Sequence, residues 1–223
     1  MENPEAMSVS SSHSELIDRL GGALVPVRRL APPWRRVLGW LLVVVAAALA
    51  LLAHYGPDGM LQRWTVAPEL AWAGLGAAVT AVCAAWAALS LSVPGRRVLW
   101  AWLPVPSALL WIGASGLGCL RVWFTPDPQV AALQQSADCL IFIIGLSIPL
   151  SALLILLVRR ACPLRPVLTA VMIGLASAAA SACLLEIGHA EASAATDLLT
   201  HALAVALVVA ANAAMGGRLL SRT

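Results

Sequence analysis

The chain has 223 residues, of which 61% belong to the apolar set AVILMFWYC and only 11% are charged. Soluble domains average about 45–50% apolar and about 25% charged residues, so a soluble fold of this length would expose a large apolar surface. This composition excludes an ordinary soluble enzyme, a disulfide-stabilised secreted domain and a disordered chain. The formal net charge of +3 is too small for a nucleic-acid binder. We therefore expect an integral membrane protein.

Residues 1–36 are predicted to form a tail that contains one short amphipathic helix. Residues 1–14 are polar and Ser-rich, without the basic start of a secretory signal, and we expect a flexible, uncleaved segment. Ser12 and Glu15 have the spacing of a capping box, and Pro26 ends the helix that follows. Beyond it lies an arginine-rich stalk. The helix has one apolar face, made by Leu16, Ile17, Leu20 and Leu24.

Six apolar segments are long enough to cross a bilayer, which takes about 20 helical residues. The third has Pro104 and Pro106 near its start, which predict a kink there. The fourth is too long for one straight span, so its first part, 130–137, is predicted to be interfacial or tilted. Residues 217–223 form a second short tail. The segments are 37–55, 68–93, 98–120, 130–158, 167–187 and 196–216.

Backbone groups in lipid must be hydrogen-bonded internally and no alternating barrel pattern occurs, so all six segments are predicted to be helices. The fold class is all-α, with six transmembrane helices arranged as three hairpins. Arg pairs at 35–36, 96–97 and 159–160 recur at nearly constant spacing. Either three hairpins descend from one unit, or short loops simply repeat the same topology signal, and we favour the second interpretation.

The basic residues, all of them Arg, predict the orientation. Twelve of the fourteen fall before the first segment, after the second, after the fourth or after the sixth, whereas Arg63 and Arg121 fall on the other side. Cytoplasmic loops carry the excess of basic residues, so both termini are predicted to be cytoplasmic. The twelve are Arg19, Arg28, Arg29, Arg35, Arg36, Arg96, Arg97, Arg159, Arg160, Arg165, Arg218 and Arg222.

The amphipathic helix is the first candidate site. Glu15 and Asp18 lie beside its apolar face, and such a helix can dock in a groove of a soluble partner. Alternatively, it lies on the membrane surface with its Leu side down. Surface helices usually present many cations to anionic lipid, whereas this one has a single Arg and two acids. The sequence leaves both interpretations open.

The second candidate is a group of ligand-type residues in the outer half of the predicted bundle. Cys and His together bind soft metal ions, and an exposed thiolate can be oxidised, so the group could sense a metal or an oxidant. Alternatively, Cys packs as a small apolar residue, and His and Glu at helix ends are ordinary interface residues. No metal site is assigned. The main candidates are Asp138, Cys139, Cys183, His189 and His201, with His54, Cys119 and Glu186 nearby.

The segments contain no metalloprotease HExxH, no GxSxG nucleophile motif and no phosphate-binding loop. Asp138 is the one plausible acid within a span and has no second carboxylate nearby in the sequence. We therefore expect neither an enzyme nor a cofactor.

Several stretches together resemble the NrsF family: ELIDRLGGALVPVRRLAPPWRR, LSVPGRR, SADCLIFIIGLSIPL and RRACPLRPVLTA. The resemblance begins near residue 14 and implies a bacterial six-helix inner-membrane protein that negatively regulates an extracytoplasmic-function sigma factor. It would hold the sigma factor through about residues 14–34 and release it on an envelope signal, without contacting nucleic acid itself. The candidate contact residues are Glu15, Leu16, Ile17, Asp18, Leu20, Leu24, Pro26, Arg28 and Arg29.

The chain departs from the family pattern at one position. The family tends to carry a second Cys after a His in the loop between the fifth and sixth spans, whereas this chain has Ala190 after His189. Cys183 lies seven residues earlier and is the nearest substitute.

Two other function classes remain as alternatives. A small transporter or channel would explain Asp138 and the outer His and Cys residues, but it needs a continuous polar path, and the inner halves of the segments are nearly free of ionisable groups. A structural subunit of a membrane complex is the third candidate.

Overall fold

The computed structural model describes residues 4–22, 30–124, 133–161, 163–188 and 194–220. These residues form eight α-helices and one short 3-10 helix, Val98–Trp102, with no strand among them. The predicted all-α class is therefore confirmed for the described part of the chain. The helices are α1 Pro4–Gly22, α2 Pro33–Tyr55, α3 Asp58–Val66, α4 Pro68–Leu91, α5 Val105–Phe124, α6 Leu133–Arg159, α7 Pro166–Gly188 and α8 Ala194–Leu220.

Six helical stretches are long and apolar enough to cross a membrane, as the sequence predicts. Apart from the start of the fourth, which lies among residues whose side chains are not described, their bounds lie within four residues of the prediction. Helix α2 starts earlier than predicted, at Pro33, because proline is favoured in the first turn of a helix. The stretches are Pro33–Tyr55, Pro68–Leu91, Val98–Leu117, Cys139–Arg159, Pro166–Gly188 and Leu199–Gly216.

The chain divides into two compact units, Met1–Leu30 and Ala31–Thr223. In the first unit, α1 begins at Pro4, so the expected flexible tail is wrong over residues 4–14, and so is the expected cap at Ser12. Proline suits the first helical position, and the residues Glu5–Met7 are strong helix formers. The apolar periodicity starts only at Leu16, which is why it did not indicate the earlier turns.

The third segment is interrupted near its start, where Pro104 and Pro106 predict a kink. The 3-10 helix Val98–Trp102 is followed by Leu103 and Pro104, and α5 then begins at Val105. Pro104 has no backbone N–H, and it disfavours a helical conformation of the residue before it. The fourth segment forms one helix, α6, whose apolar stretch includes Cys139–Arg159, and the interfacial or tilted start at 130–137 stays a prediction.

Helix α3 was not predicted, because it is short and polar and lacks a long apolar stripe. It lies between the first two spans and has Asp58 in its first turn, where a carboxylate stabilises the positive end of the helix dipole. Arg63 on α3 forms an ion pair with Glu186 near the end of α7, with 3.7 Å between Nη1 and Oε2. Its Nη2 also donates to the backbone oxygen of Glu186.

The centre of the second unit is the pair α4 and α7. In their apolar stretches 67% and 72% of the residues are buried, against 11% in α2. Small side chains let the helices approach closely, as is usual in lipid. A Cβ added at Gly76 would lie 2.7 Å from the backbone nitrogen of Trp111 on α5, and one at Gly174 would lie 2.9 Å from the Cα of Val209 on α8.

The packing order does not follow three separate hairpins. Helix α5 packs on α4 and α8, and α6 packs on α7 and α8; among the described residues α5 and α6 share little contact. Of the three predicted hairpins, α2 with α4, α5 with α6 and α7 with α8, only the third is an extensively packed pair among the described residues. The three-hairpin arrangement is therefore not confirmed.

Hydrogen bonds join the helices inside the apolar region. Ser147 on α6 donates to Ser181 on α7 over 3.1 Å, and Asn212 on α8 donates to Ser151 on α6 over 3.2 Å. Thr80 on α4 donates to Ser107 on α5 over 3.0 Å. These polar groups pair with one another, as buried polar groups in lipid must.

Candidate functional site

The apolar face of α1 is exposed. Leu16, Ile17 and Leu20 expose 53%, 67% and 61% of their surface, and Glu15 and Asp18 beside them are also exposed. The described helix therefore presents an apolar patch with acidic neighbours. Four other predicted contact residues, Leu24, Pro26, Arg28 and Arg29, lie outside the described residues.

At the other end of this tail, α2 is attached to α6. Arg36 is buried and donates through Nη2 to the backbone oxygen of Leu157. Trp40, which is fully buried, donates through Nε1 to the backbone oxygen of Leu150 over 3.2 Å. The last four carbonyls of a helix have no hydrogen-bond partner within it. Helix α6 ends at Arg159, so the carbonyl of Leu157 is one of these, and Arg36 supplies its partner.

The predicted sensing residues lie on three helices. Cys139 is buried on α6, in a cluster with Ile143, Leu185 and Ala204, and this is not the exposed thiolate that direct oxidation requires. Cys183 on α7 is half-buried. His201 is half-buried on α8. Asp138 precedes Cys139 on α6 with its side chain outside the described part, and His189 lies outside the described residues.

Within the part of the chain that the structure describes, no three side chains of His, Cys, Asp or Glu are grouped as metal ligands. No disulfide links Cys83, Cys139 and Cys183, the cysteines whose side chains the structure describes, to one another. The candidate residues are therefore not joined by a disulfide among these three positions, and the sensing site stays a prediction.

The structure brings His201 together with a residue that the sequence placed only nearby, Glu186. Both line a cavity of about 360 Å³ between α4, α5, α7 and α8. The rest of its described wall is mostly apolar, with Trp111 and Ser115 contributed by α5. Sequence reasoning missed the cavity because it is made by small side chains on four helices. The one feature of the sequence that pointed to the cavity was a pair of ionisable residues, Glu186 near the end of α7 and His201 near the start of α8.

These features define a class: a polytopic helical membrane protein with a polar N-terminal arm. The chain matches the sequence model of the NrsF family, described as negative regulator of sigma F, over residues 20–221. The chain belongs to this family, as its resemblance predicts, and the description is that of a regulator rather than an enzyme. No curated protein and no solved structure matches the chain.

Proposed function

We propose that this chain is an anti-sigma factor of the bacterial inner membrane. It holds an extracytoplasmic-function sigma factor through its N-terminal cytoplasmic segment and releases it on an envelope, metal or redox signal. The observation that carries the proposal is the exposed apolar patch of α1, Leu16, Ile17 and Leu20. The family's role as a negative regulator of a sigma factor supports it.

The charges of α1 favour a protein partner over the membrane surface. Each basic residue near an anionic bilayer contributes about 1 kcal/mol of attraction. The helix Pro4–Gly22 has one basic residue besides His13, Arg19, and three acids, Glu5, Glu15 and Asp18. An anionic surface therefore repels it overall, whereas a groove with an apolar floor and basic edges complements it.

Because the anti-sigma factor is attached to a membrane, a patch as small as that of α1 is sufficient to bind a sigma factor. The inhibitor is confined to the membrane surface, where its copies give a high local concentration of arms, so a modest interface can hold a soluble sigma factor. The excess of Arg on one side of the spans supports a cytoplasmic position for the patch.

Release requires a signal that favours one conformation of the bundle over another. Helix α6 is the element we propose for this coupling. Its apolar stretch includes Cys139, a sensing candidate, and the half nearer its other end contacts Arg36 and Trp40. Those two residues follow the proposed sigma-binding segment directly in the chain.

The test is a double substitution in the patch, Leu16→Asp with Leu20→Asp. It adds two charges to the apolar face and should abolish repression, so that transcripts dependent on the sigma factor rise to the level of a deletion strain. Co-purification of a sigma factor with the detergent-solubilised full chain, identified by mass spectrometry, should be lost in parallel.

The matched control is Met7→Asp with Ser11→Asp, which adds the same charge at the same spacing on the opposite side of the helix and outside residues 14–34, given 3.6 residues per turn. This variant should repress normally. Full repression by the Leu16→Asp, Leu20→Asp variant, at wild-type membrane levels, would show that the patch does not hold the sigma factor.

A further inference from the structure

Arg36 on α2 is a buried cation whose hydrogen-bond donors are only partly used. It exposes 5% of its surface, and its Nη2 donates to the backbone oxygen of Leu157. Its Nε and Nη1 are also buried, and they have no hydrogen-bond partner among the described residues. A buried charge is stable only when it is paired and its donors are bonded. The contact with Leu157 therefore leaves Arg36 in need of a further acceptor, and an anion fits best.

The bundle itself offers no carboxylate to Arg36. The segments on the arginine-rich side of the spans lack Asp and Glu, and the acid-free stretches are 19–57, 70–126, 139–185 and 198–223. The neighbours of Arg36 are instead further arginines, both exposed. Arg35 precedes it on α2, and Arg160 follows Leu157 by three residues, just after the end of α6. The counter-charge of Arg36 must therefore come from outside the bundle.

The amino end of α2 lies beside this guanidinium and also favours an anion. Arg36 is the fourth residue of the helix, which begins at Pro33, and helical side chains lean toward the helix N-terminus. No described side chain caps this end, and the first turn contains no acid. The helix dipole places about half a positive charge there, which stabilises a bound anion. The end of α2 and the unused donors of Arg36 are thus two independent features that favour one anion site.

The position of this site in the membrane indicates the kind of anion. Helix α2 has 23 residues and is about 34 Å long, which exceeds a hydrocarbon core of about 30 Å, so its first turn lies among the lipid head groups. Leu38 and Leu42 expose 50% and 61% of their surface. They follow Arg35 by three and seven residues, so all three lie on one face of α2. A phospholipid fits both parts of this surface, whereas a soluble anion fits only the arginines.

We propose that the amino end of α2 binds one anionic phospholipid from the surrounding leaflet. Its phosphate pairs with Arg35, Arg36 and Arg160, and its acyl chain lies along the exposed apolar face of α2. Arg36 turns its guanidinium toward the head group to donate from Nε and Nη1, which its long side chain allows. Because the phosphate pairs with arginines of α2 and of the end of α6, it strengthens the attachment of the two helices.

The test is lipid binding by the full chain in detergent, measured by native mass spectrometry. One molecule of phosphatidylglycerol should bind at least about tenfold more tightly than phosphatidylcholine, in which an ammonium group offsets the phosphate. Equal affinity for the two lipids would overturn the proposal. Glycerol 3-phosphate, which has a phosphate but no acyl chain, should compete at least about tenfold less well than phosphatidylglycerol. Equal competition would identify a soluble anion as the ligand and overturn the lipid assignment.

Three variants locate the site. Arg36→Gln should lower the affinity for phosphatidylglycerol at least about tenfold. Arg160→Gln removes an exposed charge and should lower it about threefold. Since this variant keeps every buried contact, it decides the question if Arg36→Gln does not fold. The matched control Arg97→Gln removes the same charge beside the 3-10 helix, which packs mainly on α4 among the described residues, and should bind normally.

Unchanged affinity in either site variant, or an equal loss in the Arg97→Gln control, would show that the lipid is not held at the end of α2. The measurement needs no sigma factor, so its failure leaves the proposed function untouched.

Discussion

Two arginines, Arg36 and Arg63, each donate a hydrogen bond to a backbone carbonyl at the end of a helix. Arg36 donates to the backbone oxygen of Leu157, near the end of α6, and Arg63 donates to that of Glu186, near the end of α7. Both oxygens belong to the last turn of a helix, where carbonyls have no partner within the helix. Each arginine therefore fixes a helix end, and Arg36 is also one of the twelve arginines that predict the orientation.

Cys139 is the residue at which the sensing hypothesis can be tested. It is buried beside Ile143, Leu185 and Ala204, so a metal ion or oxidant reaches its thiol only if α6 moves relative to its neighbours. We predict that Cys139→Ser keeps resting repression and lowers induction by metal ions and oxidants at least about tenfold. Induction is measured with a reporter driven by the sigma-dependent promoter.

The variant Cys139→Ala shows whether a loss of induction comes from loss of the thiol or from burying a polar hydroxyl, because alanine removes the thiol and keeps the site apolar. If the thiol is the sensor, the alanine and serine variants lose induction alike. Wild-type induction in the alanine variant would remove Cys139 as a sensor.

Close helix contacts give a prediction at the scale of elements. A Cβ at Gly174 would lie 2.9 Å from the Cα of Val209, so Gly174→Ala forces α7 and α8 apart and should cost about 1–3 kcal/mol, as overpacking does. Gly145 on α6 has nothing within 4 Å of its Cβ position. Gly145→Ala should therefore be neutral or stabilising by up to about 1 kcal/mol, through helix propensity. Thermal unfolding in mild detergent measures both, and equal midpoints would contradict the close contact.

Most elements of this fold could be predicted because the bilayer dictates them. Apolar length determines the six spans and backbone hydrogen bonding makes them helices, so composition and the positions of Pro33, Pro68 and Pro104 place the boundaries within a few residues. Helix α3 and the first turns of α1 could not be predicted in this way. They are polar, and nothing in their pattern distinguishes a helix from a loop.

The candidate site was predictable only in part, for a related reason. The apolar face of α1 repeats with helical periodicity, so Leu16, Ile17 and Leu20 could be identified from the sequence alone. Which residues meet inside the bundle depends on packing order, and that order is set by small side chains present on every span. From the sequence, Cys139 and His201 were predicted to belong to one group. In the structure His201 lines the cavity with Glu186, whereas Cys139 lies in a separate apolar cluster.

The described interior of the whole bundle favours regulation over transport. Its buried polar side chains include hydroxyl and amide groups that bond to one another across helices, such as Ser147 with Ser181 and Asn212 with Ser151. A transporter needs polar groups directed at a solute along a path through the membrane. On α7 the cavity lining extends from Leu175 to Glu186, about half of the helix, so its described residues do not run the length of the span as a transport path would.

The orientation of the whole molecule decides whether the α1 patch can meet a sigma factor at all. Positive-inside asymmetry predicts that green fluorescent protein fused at residue 1 or at residue 223 is fluorescent, because both fusions fold in the cytoplasm. Alkaline phosphatase joined after residue 66 should be active, since it follows α3 on the opposite side. The same enzyme joined after residue 97, beside Arg96 and Arg97, is the matched control and should be inactive. Active phosphatase at residue 97 with a dark fusion at residue 1 would place the arm outside the cell, where no sigma factor can bind it.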